Sequence, residues 1–151
     1  MKIVATNRKA LYNYHILDSF EAGMVLRGSE VKSLRLGRVS LRESFAKAEG
    51  NEVFIYNLHI TPYIHQSIPG PEPTRPRKLL LHKREIKRLI GLTSQKGLTL
   101  VPLKIYFKAG RAKVEIALVK GKKKYDKREK LKKKAVQREM TRALKSRRVG
   151  K

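Results

Sequence analysis

The nine residues Lys120-Gly121-Lys122-Lys123-Lys124-Tyr125-Asp126-Lys127-Arg128 divide this chain in two. Six of them are lysine or arginine. A run of like charge repels itself and stays solvated, so it cannot enter a core. Before it, the sequence alternates apolar and polar residues as strands do. After it, the sequence is charged, has no proline, and follows a helical period. The expected organisation is a folded domain over 1–119 and a basic tail over 120–151. Alone, such a run reads as a solvated linker. The charge of the whole chain makes it a joint for a polyanion.

That charge is large: 37 Lys and Arg stand against 12 Asp and Glu, a net +25 over 151 residues. Residues 1–119 carry a net +12 and residues 120–151 a net +13. Self-repulsion of this size calls for a partner of opposite charge and argues against self-association, so a monomer is expected. Nucleic acid fits, because each phosphate neutralised releases a counterion. A membrane fits poorly: there is no Trp and no long apolar run. Met1-Lys2-Ile3-Val4-Ala5 leads straight into Asn7-Arg8-Lys9, without the apolar stretch of a signal peptide. With no Cys there are no disulfides, thiolate metal sites or cysteine nucleophiles. A cytoplasmic protein is expected.

A hydrophobic content of 40% suffices for one core. Lys2 to Asn13 reads as a polar, basic lead. Tyr14–Leu17 and Phe20–Leu26 read as extended chain, with a bulge or bend at Gly23. Gly28–Gly37 reads as a short helix capped by Ser29, with Val31, Leu34 and Leu36 toward the core. Lys32 and Arg35 share one of its faces. Ser44–Glu49 and Glu52–Ile60 form a strand pair about a Gly50-Asn51 turn. Pro62 to Pro76 holds five of the six prolines and is a loop. A helix over His82 to about Gln95 carries the stripe Ile86, Leu89 and Ile90. Leu98–Phe107 is a strand with an edge or bulge at Pro102. Ala109-Gly110 turns it, and Arg111–Val119 is the last strand, Val114, Ile116 and Leu118 facing one way. Short strands with two helices predict a mainly β fold, a small closed barrel of the oligonucleotide-binding type. In the tail, Val136, Met140, Ala143 and Leu144 share a helical face. We expect it disordered alone and helical against a polyanion.

Enzyme signatures are missing. There is no Gly-rich phosphate loop and no paired-His metal motif, and His15, His59, His65 and His82 are scattered. The expectation is a binding protein with no catalytic residue, no metal and no cofactor.

Three stretches taken in order resemble one family. They are Gly28-Ser29-Glu30-Val31-Lys32-Ser33-Leu34-Arg35, Arg77-Lys78-Leu79-Leu80-Leu81, and the basic run Lys120–Arg128. With Asn7-Arg8-Lys9-Ala10 and Ile60-Thr61-Pro62, they make essentially the whole chain similar to small protein B, the SsrA-binding family of bacteria. The resemblance implies an oligonucleotide-binding barrel with flanking helices and a tail that is helical on the ribosome. It implies binding to the tRNA-like domain of transfer-messenger RNA (tmRNA). Through that RNA it implies alanyl-tRNA synthetase and elongation factor Tu as indirect partners. On stalled ribosomes the tail would occupy the small-subunit decoding site and the empty mRNA channel during trans-translation.

Carried onto this sequence, the resemblance puts Asn7, Glu21, Leu80 and Lys113 on the RNA. From pattern alone Glu21 reads as a surface ion pair and Leu80 as core. Charge and position add Lys32, Arg35, Arg75 and Lys78 as phosphate contacts. The decoding-site joint would be Lys120, Lys122, Lys123, Tyr125, Asp126, Lys127 and Arg128. Many members have His where this chain has Tyr125, and either ring stacks on a base. Val136, Met140 and Leu144 would set the tail in the channel. Composition alone equally suits a general RNA chaperone or a structural protein of the ribosome; the ordered motifs favour the first reading.

Overall fold

A computed structural model describes residues 1–63, 70–95 and 97–121. The elements run β1 (Lys2–Thr6), α1 (Arg8–Asn13), β2 (Tyr14–Met24), α2 (Gly28–Arg35), β3 (Val39–Ser40), β4 (Phe45–Glu49), β5 (Glu52–Tyr56), β6 (His59–Ile60), β7 (Arg77–Leu80), α3 (Lys83–Thr93), β8 (Leu98–Lys108) and β9 (Arg111–Gly121). Met1–Gly121 forms one compact unit. Lys120 and Gly121 belong to its last strand, paired with His15 and Tyr14.

The strands close into a ring. β8 pairs with β4, β4 with β5, β5 with β7, β7 with β2, β2 with β9, and β9 returns to β8. Closure leaves no long open edge. β1 shares the β8 edge with β4: Ile3 to Thr6 face Tyr106 to Lys104, while Ala46 faces Leu100. The chain is thus the mainly β barrel with flanking helices that the sequence predicts.

Alternation fills the ring. Ala22, Met24, Val53, Ile55, Leu79, Leu100, Ile105, Val114, Ile116 and Leu118 are buried together inside it. Leu34 of α2 and Leu89 of α3 enter the same core. α1 covers a second cluster, where Ala10 meets Val101, Ala117 and Val119. These lie on the opposite face of β8 and β9, so the upper half of the last strand is buried on both sides.

One tight turn and one bulge behave as predicted. Ala109 (φ 51°) and Gly110 (φ 75°) both take the left-handed conformation that a two-residue hairpin needs. The ladder of β8 shifts register between Pro102 and Lys104, the bulge expected at a proline that cannot donate.

Several expectations need correction. Lys2–Thr6 is a strand and Arg8–Asn13 a helix. The β-branched Ile3, Val4 and Thr6, and Asn7 as cap, were the available signals. Gly23 does not bulge; the β2 ladder shifts between Ile16 and Asp18 instead. Ser29 is not the helix cap: Arg27 is, its N–H donating to the Glu30 carboxylate at 2.9 Å. Leu36 is 56% exposed, because the helix stops there and Gly37 (φ 72°) turns the chain away. Glu52–Ile60 is two strands, broken at Asn57 (φ 59°); β6 leaves the barrel to pair with β3. The expected helix about Ile86 and Leu89 is present as α3.

Candidate nucleic-acid interface

Strand register assembles one outer face of the barrel. Gly23 on β2 lies between Leu80 on β7 and Lys113 on β9, and Lys113 in turn faces Tyr106 on β8. Residues in register share a face. Two residues along, Glu21, Glu115 and Lys104 form the next row. Leu80, 53% exposed, lies over Gly23: a Cβ there would sit 3.3 Å from the Leu80 Cβ. A side chain at 23 would require Leu80 to give way by a few tenths of an ångström, so this glycine serves a close approach. Leu80 has Leu79 pointing inward beside it, and is not a core residue.

The charges on this face are held by one another. The Tyr106 hydroxyl donates to Glu21 Oε2, and Lys108 Nζ lies 3.6 Å from the same oxygen. The Tyr106 bond above all, aided by Lys108 and Lys113, keeps the Glu21 carboxyl below its usual range against a smaller burial cost. Burial, then Glu21, pushes the Tyr106 phenol up, so it stays a donor. Lys104 pairs with Glu115 at 3.4 Å, and its ammonium lies 5.7 Å from the centre of the Tyr106 ring. The result is an apolar side chain, a carboxylate and a lysine set side by side. Such a set can pack on a base, accept from a 2′-hydroxyl and hold a phosphate.

α2 stands beside it, fixed by a buried charge. Glu30 is 3% exposed and Arg77 fully buried. Arg77 donates to Glu30 Oε2 at 2.6 Å, to the Leu58 carbonyl at 2.6 Å and to the Pro73 carbonyl at 2.9 Å. Arg75 donates to Glu30 Oε1 at 2.5 Å. Burial pushes the Glu30 carboxyl up, but Arg75, the Arg27 N–H and Arg77 together outweigh it and hold the group below its usual range. Burial lowers the Arg77 pKa despite the opposing pull of Glu30. This anchoring ties α2 to β7 and to the loop before it. The Lys32 ammonium then lies 5.3 Å from the Tyr63 ring centre, and the Arg35 guanidinium 5.7 Å from that of Phe107.

A family model of the SmpB protein matches residues 4–146. The chain belongs to the SmpB family. The SsrA-binding protein of Carboxydothermus hydrogenoformans is 59% identical over 146 residues, 97% of this chain and 98% of that protein. That of Geobacillus thermodenitrificans is 56% identical, over 97% of this chain and 94% of its own. A solved chain described as "tmRNA-SmpB: a journey to the center of the bacterial ribosome" is similar at a TM-score of 0.68 and 53% identity, over 87% of this chain and 93% of that one.

Within this SmpB fold the residues predicted for RNA contact fall into groups. Glu21, Leu80 and Lys113 come together on the outer face. Lys78 shares its side of β7 and is paired with Glu52 at 2.9 Å. Lys32 and Arg35 project from α2. Asn7 is engaged by the protein: its Nδ2 donates to the Pro102 carbonyl at 2.9 Å and its Oδ1 accepts from the Ala10 N–H at 3.3 Å. It clamps the β8 bulge to the start of α1. Arg75 is engaged too, by Glu30. Lys120 is exposed at the end of β9. Lys122, Lys123, Tyr125, Asp126, Lys127, Arg128, Val136, Met140 and Leu144 lie outside the described residues, as does the expected helix of the tail.

Arg77, Tyr106 and Gly23 were not predicted at the site. Once β7 is known as a strand, its alternation puts Arg77 on the inward side with Leu79. Nothing local marks Tyr106, whose partner Glu21 is 85 residues away. Among the described residues no group of three His, Asp or Glu could hold a metal, and no helix is long and apolar enough to cross a membrane.

Replacing Leu80 with aspartate tests the face. The side chain is exposed, so thermal stability should stay within about 0.5 kcal/mol of the parent. Affinity for a structured RNA should fall at least roughly tenfold, from lost packing on a base and an added negative charge. Unchanged affinity in a binding titration would remove Leu80 from the interface.

Proposed function

We propose that this SmpB-family chain binds the tRNA-like domain of tmRNA and carries it to stalled ribosomes for trans-translation. The observation that carries the reading is the near full-length likeness to a solved tmRNA-SmpB chain at 53% identity. The outer barrel face supports it with chemistry. Leu80 packs on an exposed base, the Oε1 of Glu21 accepts from a ribose, and Lys113 meets phosphate. Lys32, Arg35 and Lys78 hold the backbone alongside. Asn7 positions α1, and Arg75 positions α2 through Glu30. The basic segment from Lys120 to Arg128 enters the decoding site of the small subunit. Val136, Met140 and Leu144 set the following segment in the empty mRNA channel. Elongation factor Tu and alanyl-tRNA synthetase meet the protein through the RNA. The protein works by binding in the cytoplasm and performs no reaction of its own.

A pull-down of the intact chain from bacterial lysate, with the bound RNA sequenced, tests this. One dominant tmRNA species, retained as salt rises and outcompeting bulk tRNA, is expected. A spread of tRNA, rRNA and mRNA lost together as salt rises would overturn the reading in favour of a general RNA chaperone.

A further inference from the structure

The barrel face already described does not use the most cationic element of the folded unit. α3 begins three residues after Leu80. Two residues of its expected apolar stripe are sunk into the barrel, Leu89 fully buried and Ile86 packed against the core, while the third, Ile90, is 37% exposed. Its other side carries Lys83, Arg84, Lys87 and Arg88, all exposed. At 100° per residue these four span an arc of about 140° facing away from that stripe.

Three lysines of the neighbouring strands are neutralised locally. Lys78 pairs with Glu52, Lys104 with Glu115 and Lys108 with Glu21. On α3, Arg88 pairs with Asp18 at 3.0 Å and lies over the Phe20 ring. Among the described residues no carboxylate pairs with Lys83, Arg84 or Lys87. The one acid on the helix, Glu85, caps it by accepting from the His82 N–H at 3.2 Å. The three cations thus stand on a helix capped at its start and tied to β2 near its middle by Arg88. Ordering costs them little beyond their own side chains.

Position decides what they meet. β7 runs antiparallel to β2, so from Leu80, opposite Gly23, the chain heads toward the Tyr14 end of β2. Arg88 reaches Asp18 there. The ridge lies beyond Leu80 at the barrel end that α3 covers, away from the Ala109-Gly110 turn.

We propose that Lys83, Arg84 and Lys87 of α3 form a second phosphate-binding ridge. It takes the backbone of a double-helical part of the same RNA that occupies the Glu21–Leu80–Lys113 face. The inference rests on the proposed function for the identity of that RNA. The ridge adds affinity without reading sequence, since contacts to phosphate carry no sequence information.

The test uses the full chain with Lys83→Gln, Arg84→Gln and Lys87→Gln combined, titrated with a tRNA-like-domain RNA across a salt series. Each phosphate contact contributes about one to the slope of log affinity against log salt. The slope should become shallower by about 2–3, and affinity at low salt should fall roughly tenfold or more. The preference over an unrelated duplex of equal length should persist, because the reading face is untouched. Lys83→Arg, Arg84→Lys and Lys87→Arg together should restore the parental slope. Arg8→Gln, Lys9→Gln and Arg42→Gln, which remove the same charge elsewhere, should lower it by less than one. An unchanged slope in the α3 variant, or an equal loss in the charge-matched control, overturns the ridge. If instead the parent chain shows no preference for the tRNA-like RNA, the proposed function fails while the slope difference still reports the ridge.

Discussion

Replacing Glu30 with alanine lowers the stability of the folded unit by about 3–5 kcal/mol, the usual cost of leaving a buried charge without its partner. The stranded group is Arg77, which is fully buried. It keeps the carbonyls of Leu58 and Pro73 but loses its only counter-charge among the described residues. Arg75 loses its partner as well, at a smaller cost, since it is 24% exposed. The melting temperature should fall by roughly 10–20 °C for a unit of this size. Replacing Glu30 and Arg77 together with methionine should recover most of the loss, because apolar isosteres carry no desolvation cost. Calorimetry of the single and double variants decides it. A loss below about 1 kcal/mol in Glu30→Ala would mean that the network does not anchor α2.

The same carboxylate sets a sign for acid. Its folded-state pKa lies below the ordinary value, while in the unfolded chain it titrates near 4.3. Its stabilisation is therefore complete above that pH and is lost as pH falls through the folded-state value. Urea melts at stepped pH should show the parent losing this share of stability in acid, with the loss missing from Glu30→Ala.

Ending the chain after Gly121 leaves RNA binding largely intact and abolishes tagging on stalled ribosomes. The compact unit Met1–Gly121 is kept whole, so the truncation retains every described strand and core residue. The outer face of Glu21, Leu80 and Lys113 remains, and so does α3. What goes is the basic segment assigned to the decoding site and mRNA channel. Electrostatic affinity should decline, since 15 of the 37 Lys and Arg lie beyond Gly121, but preference for the tRNA-like RNA over a competitor should persist. In a reconstituted translation system the tag should be undetectable. Loss of RNA preference in the truncated chain would refute this division of labour. Replacing Asp126, Lys127 and Arg128 together with alanine narrows the test: RNA binding should match the parent while tagging stops.

Much of the fold was legible because local chemistry fixes it. Ala109-Gly110 has to turn, Pro102 has to break a ladder, and Val114, Ile116 and Leu118 alternate inward. The losses came where the signal was short or distant. β1 and β7 are five and four residues long, too short for a period to show. Gly23 looks like a bulge locally; only its neighbour across the sheet, Leu80, explains it. Ser29 is a better cap residue than Arg27 by intrinsic preference. The cap falls at Arg27 because Glu30 is pulled inward by Arg77, a partner 47 residues away.

The chain's sequence by itself determined the strand-rich class and the family, and its charge calls for a polyanionic partner. Those follow from periodicity, charge repulsion and ordered motifs, which are properties of neighbouring residues. Only the tertiary structure decided which cations are free to meet RNA. Folding brings Glu21, Leu80 and Lys113 together, engages Asn7 and Arg75 with the protein, and among the described residues leaves Lys83, Arg84 and Lys87 of α3 without a carboxylate partner. The reason is physical: a charge is spent or available according to what lies within about 4 Å of it, and for these residues that neighbour comes from another strand.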